Sequence, residues 1–381
     1  MTKNYRPKLL ALCLLSGISL AATAQETTPF KLKKVTSVED RCIYAFEQLG
    51  RVMTAASASA VVSDSKLLTT GYAIENLTGN ESYLWRISSK SNYYRIANNK
   101  IKKDEYLKAN GTSLSVSTND FTWAFVSIGD EHIKITSQGN SNNNDRTLAY
   151  YDTDKTENMF YKAYAEGDLD TYYPNYKISL YQLVEEVKIK PAGLATYVSD
   201  KNLNYANVEG LKAYRAVVDG NHITFYKIND VPAGKGILLR ATNTLNEDTI
   251  FDIPVVYSVQ DSWKWDETGY NDFIRGSGDA VPSQSDGYYN YILNSVGGNV
   301  GFYHANGQTV ATNRAYLRTT KSVPGRMSMD FDDDPETTNG IHEMTDDGIR
   351  LERDIYDLQG RHVTTPRKGL YIINGKKMVI K

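Results

Sequence analysis

The chain has 381 residues, with 43 Lys and Arg against 45 Asp and Glu, and a formal net charge of −2 at pH 7. This balance offers no basic field to nucleic acid, and a mean hydropathy of −0.47 excludes a polytopic membrane protein. Hydrophobic residues make up 41% of the chain, which suits globular folding, and 28 tyrosines outnumber the 10 Phe and 4 Trp together. This composition favours a β-rich protein, and the length is typical of about two to three domains.

Residues 1–24 have the pattern of a cleavable signal peptide. Three basic residues precede an apolar stretch, residues 9–20, and Ala22 and Ala24 are the small residues that a signal peptidase accepts. The apolar stretch is shorter than the roughly 18 to 20 residues that span a bilayer, and we expect no transmembrane segment elsewhere. The sequence therefore predicts a secreted protein.

Removal of the leader would leave Cys42 as the only cysteine, so no disulfide is expected within the mature chain. Cys42 heads the apolar run Ile43–Phe46, and no His lies near it in sequence. This setting predicts a buried small hydrophobic residue and not a nucleophile.

Turn dipeptides flanked by strand-forming residues recur along the chain: Asn110-Gly111, Asp219-Gly220, Asn306-Gly307 and Asn374-Gly375. Each predicts a β-hairpin, because Asn, Asp and Gly tolerate the positive φ that a type I′ turn needs at both central residues. No stretch shows a sustained helical period of apolar residues with capping residues. We therefore predict an all-β protein with at most short helices.

Residues 29–186 are predicted to form the first domain. Trp85 and Trp123 begin two similar stretches, 38 residues apart, each followed by alternating strand residues and a Leu-bearing strand. A weaker copy begins near Ile43, and residues 176–183 would close the set. Three units of about forty residues predict a β-trefoil-like domain, with another closed barrel as the alternative.

Residues 187–332 are predicted to form a second, β-sandwich-like domain, with a barrel as the alternative. Six short strands support this prediction: Leu211–Val218, Ile223–Ile228, Gly236–Ala241, Tyr288–Leu293, Val300–His304 and Arg314–Arg318. The acidic run from Asp330 marks the end of the domain, and residues 333–339 are predicted to be a solvated linker. This run lacks the Gly and the spaced Glu of a recognised Ca²⁺ loop, so we expect no metal site there.

The C-terminal residues carry the sharpest motif, IYDLQGRHV at 355–363 followed by KGLYIING at 368–375 and a basic end. This motif resembles the C-terminal sorting domains of the type IX secretion pathway of Bacteroidetes. The residues that carry the resemblance are Tyr356, Asp357, Leu358, Gly360, Arg361, Gly369 and Tyr371. The resemblance covers residues 340–381. It implies export by the type IX secretion machinery, then removal of this module and possible attachment at the outer-membrane surface.

The same residues can also be interpreted without reference to a protein family. Residues 355–358 and 370–373 alternate as strands, and Asn374-Gly375 joins 370–373 to 378–380 as a hairpin. An ordinary terminal β-module that completes the sandwich is therefore the alternative to a sorting domain.

Two further resemblances cover most of the remaining chain. Residues 29–186, with Tyr106-Leu107 and Trp123, resemble β-rich accessory modules of secreted Bacteroidetes nucleases and glycan-active proteins. Residues 194–332, with the VPAGKG run at 231–236, resemble non-catalytic modules of surface proteins from the same bacteria. Both resemblances imply modules without a catalytic centre, and neither supplies a catalytic residue.

Motifs of common enzymes are absent from the sequence. There is no His-Glu-x-x-His, Cys-x-x-Cys, Gly-x-Ser-x-Gly or Gly-x-x-x-x-Gly-Lys, and the five histidines are scattered. The 45 acidic residues leave a glycosidase-type carboxylate pair open without singling one out. We therefore expect no cofactor and no catalytic site, and a hydrolase acting on polysaccharide or peptide is the alternative.

Aromatic side chains are the better indication of function. Trp263 and Trp265 would project to one face if their segment is extended, with Tyr257 and Tyr270 on either side. Flat aromatic faces stack on the apolar C–H groups of sugar rings. Nearby polar residues that could bind sugar hydroxyls are Asp261, Asp266 and Asn271, and a second candidate cluster is Tyr161, Tyr164, Tyr172, Tyr173 and Tyr176. Packing of these rings under loops or over a sheet is the alternative for each.

Three hypotheses follow from these observations. The first is a secreted or surface-attached, non-enzymatic binding or adhesion protein, in which Trp263 and Trp265 contact an extracellular glycan or a host macromolecule. The second is the hydrolase. The third is a structural component of a surface assembly, whose edge strands pair between chains.

Overall fold

The computed structural model describes residues 31–48, 51–57, 60–66, 69–70, 73–74, 83–98, 105–119, 121–138, 146–151, 160–165, 169, 176–322, 325–333, 342–344, 355–357, 361, 363, 368–373 and 376–380. The chain is all-β, with 58% strand and 3% helix, which confirms the predicted fold class. Among these residues, no helix has the length and apolar character needed to cross a membrane. The predicted signal peptide lies outside them.

The first fifteen strands are β1 (Lys31–Val35), β2 (Ile43–Gln48), β3 (Arg51–Ser57), β4 (Ala60–Lys66), β5 (Thr69–Thr70), β6 (Ala73–Ile74), β7 (Trp85–Lys90), β8 (Tyr93–Asn98), β9 (Tyr106–Asn110), β10 (Ser113–Ser117), β11 (Trp123–Ser127), β12 (Ile133–Ser137), β13 (Arg146–Tyr151), β14 (Phe160–Ala165) and β15 (Ser179–Ile189). Six of them pair in the order β15-β2-β7-β8-β11-β12. The hairpins β3–β4, β9–β10 and β13–β14 interrupt this path in sequence. This order is that of the predicted three-unit, trefoil-like domain, with four strands in each unit.

The ends of the six-strand path meet at a single point. No sheet closes into a barrel through strand pairing in the part of the chain that the structure describes. Instead, β12 joins the start of β15 through an isolated bridge between Ile133 and Ile178. Their backbone N–H groups donate to each other's carbonyls at 2.8 and 3.0 Å. A continuously paired barrel, one of the two sequence alternatives, is therefore not what forms.

The two tryptophans of the first region occupy equivalent places. The indole Nε1 of Trp85 donates to the carbonyl of Met53, and that of Trp123 donates to the carbonyl of Leu107, each at 2.9 Å. Both indoles are fully buried, so each bond ties the last strand of a unit to that unit's hairpin. In the third unit, Ile178 takes the corresponding place opposite the unit's first strand, which explains why the repeat is faint in sequence.

The next fifteen strands are β16 (Leu194–Tyr197), β17 (Leu203–Asn204), β18 (Leu211–Asp219), β19 (His222–Ile228), β20 (Asp230–Val231), β21 (Ile237–Ala241), β22 (Thr249–Pro254), β23 (Phe273–Arg275), β24 (Ala280–Val281), β25 (Gln284–Ser285), β26 (Tyr288–Val296), β27 (Asn299–His304), β28 (Gln308–Thr309), β29 (Ala315–Thr319) and β30 (Ser328–Phe331). All six strands predicted for this region are present. One short 3₁₀ helix, Ser262–Asp266, lies between β22 and β23.

Two five-stranded sheets of this region pack face to face. The first has the order β16-β21-β18-β19-β30, and the second contains β23, β29, β26, β25 and β27. Phe225 on the first sheet lies 6.4 Å from Phe273 and 6.1 Å from Phe302 on the second, measured between ring centroids. Their inward side chains form one buried cluster, as a sandwich-like domain requires.

Strand β15 belongs to both regions. Its first half pairs with β1 and β2, and residues 184–189 pair with β22. The predicted domain boundary between Glu186 and Val187 falls inside this strand. The first sheet of the sandwich turns its other face, with Leu211 and Leu239, to a core that it shares with Leu183. The two regions are therefore joined by a hydrogen-bonded strand and by buried apolar side chains.

The Asp219-Gly220 signal marks a hairpin, as predicted. Asp219 pairs with His222, so the two residues between them make the turn between β18 and β19. Gly220 has a left-handed φ of 63°, but Asp219 is the last residue of β18 and does not. The hairpin therefore forms, whereas the predicted type I′ turn centred on Asp219-Gly220 does not. Asn110-Gly111 likewise marks the turn between β9 and β10.

The hairpin predicted at Asn306-Gly307 is wrong. The strand before it, β27, pairs with β26, whereas the strand after it, β28, pairs with β24. The N–H of Gly307 donates to the carbonyl of Val281 at 3.0 Å, so this turn is hydrogen-bonded to β24, which is distant in sequence. The real hairpin of β26 and β27 turns at Gly297-Gly298, with φ values of 59° and 83°.

The acidic run is attached to the sandwich at its start. Asp332 accepts a hydrogen bond from the backbone N–H of Lys227 at 2.9 Å. Asp333 pairs with the Lys212 ammonium at 2.7 Å. The first residue of the predicted linker is therefore fixed to the first sheet, and residues 334–339 lie outside the described residues.

The C-terminal strands are β31 (His342–Met344), β32 (Ile355–Tyr356), β33 (Gly369–Ile373) and β34 (Lys376–Ile380). They form one sheet in the order β31-β34-β33-β32. β33 and β34 pair antiparallel from Ile373 and Lys376 onward, which is the pairing that the Asn374-Gly375 signal predicts. Residues 374–375 themselves lie outside the described residues.

The shared core predicts that the two large regions unfold together. We expect Leu183→Ala in β15 and Leu239→Ala in β21 each to lower the free energy of unfolding by about 2–4 kcal/mol, because both side chains are buried in it. Urea denaturation should show one transition by tryptophan fluorescence and by far-UV circular dichroism. As a control, Val126→Ala at an exposed position should change the free energy by less than about 0.5 kcal/mol. Two separate transitions would contradict a common core.

Candidate functional site

The segment that carries Trp263 and Trp265 is not extended, so the expectation that both rings share one face is wrong. Ser262–Asp266 form a 3₁₀ helix, which we call the Trp263 turn. It follows Asp261, which has left-handed backbone angles with φ 49° and ψ 33°. A 3₁₀ helix has about three residues per turn, so residues two apart point in different directions.

Trp265 is the anchor of the turn. Its side chain is only 7% exposed, whereas that of Trp263 is 60% exposed. The Trp265 ring meets Tyr270 edge to face, with ring centroids 5.6 Å apart. The Lys235 ammonium reaches the carbonyl of Trp265 at 3.4 Å and the carboxylate of Asp266 at 2.7 Å. The contact between Trp265 and Tyr270 and the hydrogen bonds from Lys235 thus hold the Trp263 turn in place.

Tyr270 packs against the side chain of Arg215, which also packs against Tyr226. The guanidinium carbon of Arg215 lies 4.1 Å from the ring centroid of Tyr226 and 4.3 Å from that of Tyr270. Arg215 Nη1 also donates to the carbonyl of Tyr270 at 2.7 Å. Cation–π contact on both faces of the guanidinium therefore connects the turn to β18 and β19 of the sandwich.

Tyr257 and Tyr270 do not form an exposed surface with the tryptophans. Tyr270 is half-buried in the stack just described. Tyr257 is half-buried too, with the Arg86 guanidinium 5.6 Å from its ring centroid, and burial raises the pKa of its hydroxyl. Of the four predicted ligand-binding residues, Trp263 alone is exposed, and the other three help to hold the fold around it.

The polar residues next to Trp263 are mostly engaged. Asn271 accepts the N–H of Ala216 at 3.1 Å and donates to the carbonyl of Gly236 at 2.9 Å, so its amide is used by the backbone. Asp261 pairs with Lys264 at 2.8 Å on the exposed side of the turn. The Lys264 ammonium also lies 5.6 Å from the centroid of the Trp263 ring. An exposed indole with a cation and a carboxylate beside it is therefore the available surface.

The second aromatic cluster is not a surface patch. Tyr161 and Tyr164 are 1% and 3% exposed, and the Tyr161 hydroxyl donates to the carbonyl of Phe46 at 3.3 Å. Tyr176 packs half-buried beside Tyr164. Tyr172 and Tyr173 lie outside the described residues. The alternative of packed rings holds for the members that are described.

Cys42 is buried, as its sequence setting predicts. It is 1% exposed, and burial followed by the negative charge of Glu39 raises the pKa of its thiol to about 12. The thiolate is therefore not available as a nucleophile near neutral pH.

His222 shows an arrangement that resembles a catalytic triad. Its Nδ1 lies 2.8 Å from Ser328 Oγ, and its Nε2 lies 3.2 Å from the Asp330 carboxylate. These residues are neighbours across the parallel β19–β30 pair. The Ser328 hydroxyl also lies 3.1 Å from the carbonyl of Asn221, which competes with the imidazole for its single proton. The contacts are those of a polar strand pairing.

A groove of about 490 Å³ opens between the two sheets of the sandwich, and sequence reasoning missed it. Apolar side chains such as Leu194 and Ile292 line it, together with the cations Lys188, Lys190 and Arg314. In the part of the chain that is described, no Asp, Glu or aromatic residue lines this groove. It was missed because its lining comes from strands that are far apart in sequence.

No group of three or more His, Cys, Asp or Glu side chains among the described residues could hold a metal ion. The polar clusters described above are satisfied by hydrogen bonds or ion pairs between protein groups.

Asp357 and Arg361 of the predicted sorting motif are hydrogen-bonded to each other. Asp357 accepts hydrogen bonds from the backbone N–H of Arg361 at 2.9 Å and from its Nε at 2.7 Å. The N–H of Asp357 in turn donates to the carbonyl of Arg361 at 2.9 Å. Tyr356 lies in β32, and Gly369 and Tyr371 lie in β33, which pairs with β32. Leu358 and Gly360 lie outside the described residues.

The exposure of Trp263 can be measured directly, because the chain has only four tryptophans. Iodide reaches exposed rings, so we expect Trp263→Phe to remove most of the iodide-quenchable fluorescence. Trp265→Phe is the matched control and should leave the quenchable fraction in place, since that ring is buried. If both variants lose equal quenching, the assignment of exposure to Trp263 is incorrect.

No protein-family model matches the chain, and no curated protein matches it.

Proposed function

We propose that this chain is a secreted, non-enzymatic binding protein that contacts an extracellular glycan through the indole of Trp263. The observation that carries the proposal is the contrast within one turn. Trp265 is buried and anchors the segment, while Trp263, in the same five-residue 3₁₀ helix, is 60% exposed. An exposed indole on an anchored segment offers apolar area that a partner can remove from water on binding.

The chemistry of the turn suits a sugar. The apolar C–H face of a pyranose ring stacks on a flat indole, and the exposed Lys264 and Asp261 offer a donor and an acceptor beside it. The Tyr226–Arg215–Tyr270 stack holds the turn before any ligand arrives. A preorganised ring loses little conformational freedom on binding, which favours affinity.

Affinity electrophoresis through gels that contain soluble polysaccharides tests this proposal, with a glycan array to choose the sugar. We expect Trp263→Ala to weaken retention by about tenfold, because stacking of one ring contributes about 1–2 kcal/mol. Trp263→Tyr should restore part of the retention, since it keeps a flat aromatic face.

The matched control is Tyr93→Ala, which removes another exposed aromatic ring on the first region. It should leave retention unchanged. Retention that survives Trp263→Ala would remove the site, and no retention on any glycan would remove glycan binding itself.

We also propose that the C-terminal sheet is the signal by which the type IX secretion machinery exports the chain to the cell surface. The support is the resemblance of the motif, together with the hydrogen bonds that link its residues Asp357 and Arg361.

Export can be followed in a bacterium that has this pathway, by protease shaving of whole cells and mass spectrometry. We expect deletion of residues 340–381 to abolish surface exposure, and Arg361→Ala to reduce it several-fold by removing the side-chain bond to Asp357. Arg275→Ala is the control, because it removes another exposed ion pair, with Asp200, outside the sheet. Normal export after the deletion would exclude a sorting role.

The hydrolase is the second candidate, favoured only by the Ser328–His222–Asp330 arrangement. Turnover of a peptide substrate that is lost in Ser328→Ala would establish it and would replace the non-enzymatic proposal.

A further inference from the structure

The groove between the sandwich sheets is bordered by an open strand edge. β26 pairs with β29 only over residues 289–291, but it pairs with β27 over residues 291–296. On the side opposite β27, residues 292–296 therefore have no strand partner in the described part of the chain. Residues 292–295 line the groove, which is the space left where β26 and β29 separate.

The direction of the backbone groups follows from the ladder. Asn290 accepts the N–H of Ala305 on the β27 side, and successive residues of a strand direct their backbone groups to opposite sides. Leu293 and Ser295 therefore direct theirs toward the groove. The Ser295 N–H is held only by the Asn294 side chain at 2.8 Å, a local contact that an incoming carbonyl can replace.

The charge of the groove has one sign. Lys188, Lys190 and Arg314 line it, and no carboxylate does among the described residues. Arg314 is positioned by its bond to the carbonyl of Thr196 at 2.8 Å. Lys188 has Asp248 at 3.7 Å, but both side chains are about half exposed, so that pair is weak. Positive charge beside an open strand edge favours a ligand that is both extended and acidic.

We infer that this groove binds an acidic, extended segment of a partner protein, which adds to β26 as a further strand. Backbone bonds to Leu293 and Ser295 would supply the pairing, and the three cations would select carboxylate side chains. A sugar is a poorer fit, because no aromatic ring lines the groove in the described residues. This interaction uses none of the residues of the Trp263 turn and goes beyond the proposed glycan contact.

A labelled peptide tests the inference on the whole mature chain. The probe is a fluorescein-labelled peptide of about ten residues in which Val and Glu alternate, and the comparison peptide alternates Val and Lys. We expect fluorescence anisotropy to show at least about tenfold tighter binding of the acidic peptide. Its affinity should fall as NaCl is raised, because salt screens the exposed lysines.

Two variants separate charge from strand pairing. Lys188→Glu/Lys190→Glu reverses two exposed charges and should weaken acidic-peptide binding by about tenfold. Ser295→Pro removes a backbone donor on the open side of β26, where Pro does not interrupt the β27 ladder. It should weaken binding of the acidic peptide and of the basic peptide by the same factor. Lys177→Glu makes the same kind of charge change at an exposed position of the first region and should leave affinity within about twofold.

Several results would overturn the inference. They are equal binding of the acidic and basic peptides, no binding of the acidic peptide, and binding of polygalacturonate without binding of the peptide. Dimerisation that Ser295→Pro abolishes would assign the edge to a second copy of this chain instead. Unchanged affinity in the double Lys variant would exclude the groove even if the peptide binds elsewhere.

Discussion

Strand β15 holds the two large regions of the chain together. A strand can hydrogen bond on two sides, and β15 uses both of them for the first region before it continues alongside β22. Eight of its eleven residues are buried, so its path cannot shift without exposing apolar surface. The Arg41–Asp230 ion pair, which joins β20 to a residue just before β2, is a second link between the two regions. The two large regions are therefore joined by this strand and by the ion pair.

Burial on both faces of the first sandwich sheet follows from that junction. Along β21, Leu238 faces the core of the sandwich, while Ile237 and Leu239 face the core shared with β15. A sheet covered on both sides reads as a continuous apolar run and not as an alternation. With both faces occupied, this sheet has only its edges and loops left for contact with other molecules, and its edge strand β16 lines the groove.

The two candidate surfaces differ in what they offer. The Trp263 turn is convex and aromatic, and its rigidity comes from Trp265 and the Arg215 stack beneath it. The groove is concave, cationic and free of aromatic rings in the described residues, and it exists because β29 leaves β26 after three paired residues. The proposed glycan contact and the proposed peptide contact therefore use separate residues with different chemistry.

Local rules of sequence determined much of the fold. Alternating strand residues and positive-φ turn residues, such as Gly220, need only their neighbours, and the six sandwich strands followed from them. The direction of Trp263 and Trp265 was not local, because it depends on Tyr270 and Lys235 binding the segment as a 3₁₀ turn. The turn at Gly307 depends on the distant carbonyl of Val281. The all-β class and the kinds of residue available at the surface thus follow from the amino-acid sequence alone. Which aromatic ring remains in water and where a strand edge stays open follow only from the three-dimensional fold, because both depend on contacts between residues far apart in the chain.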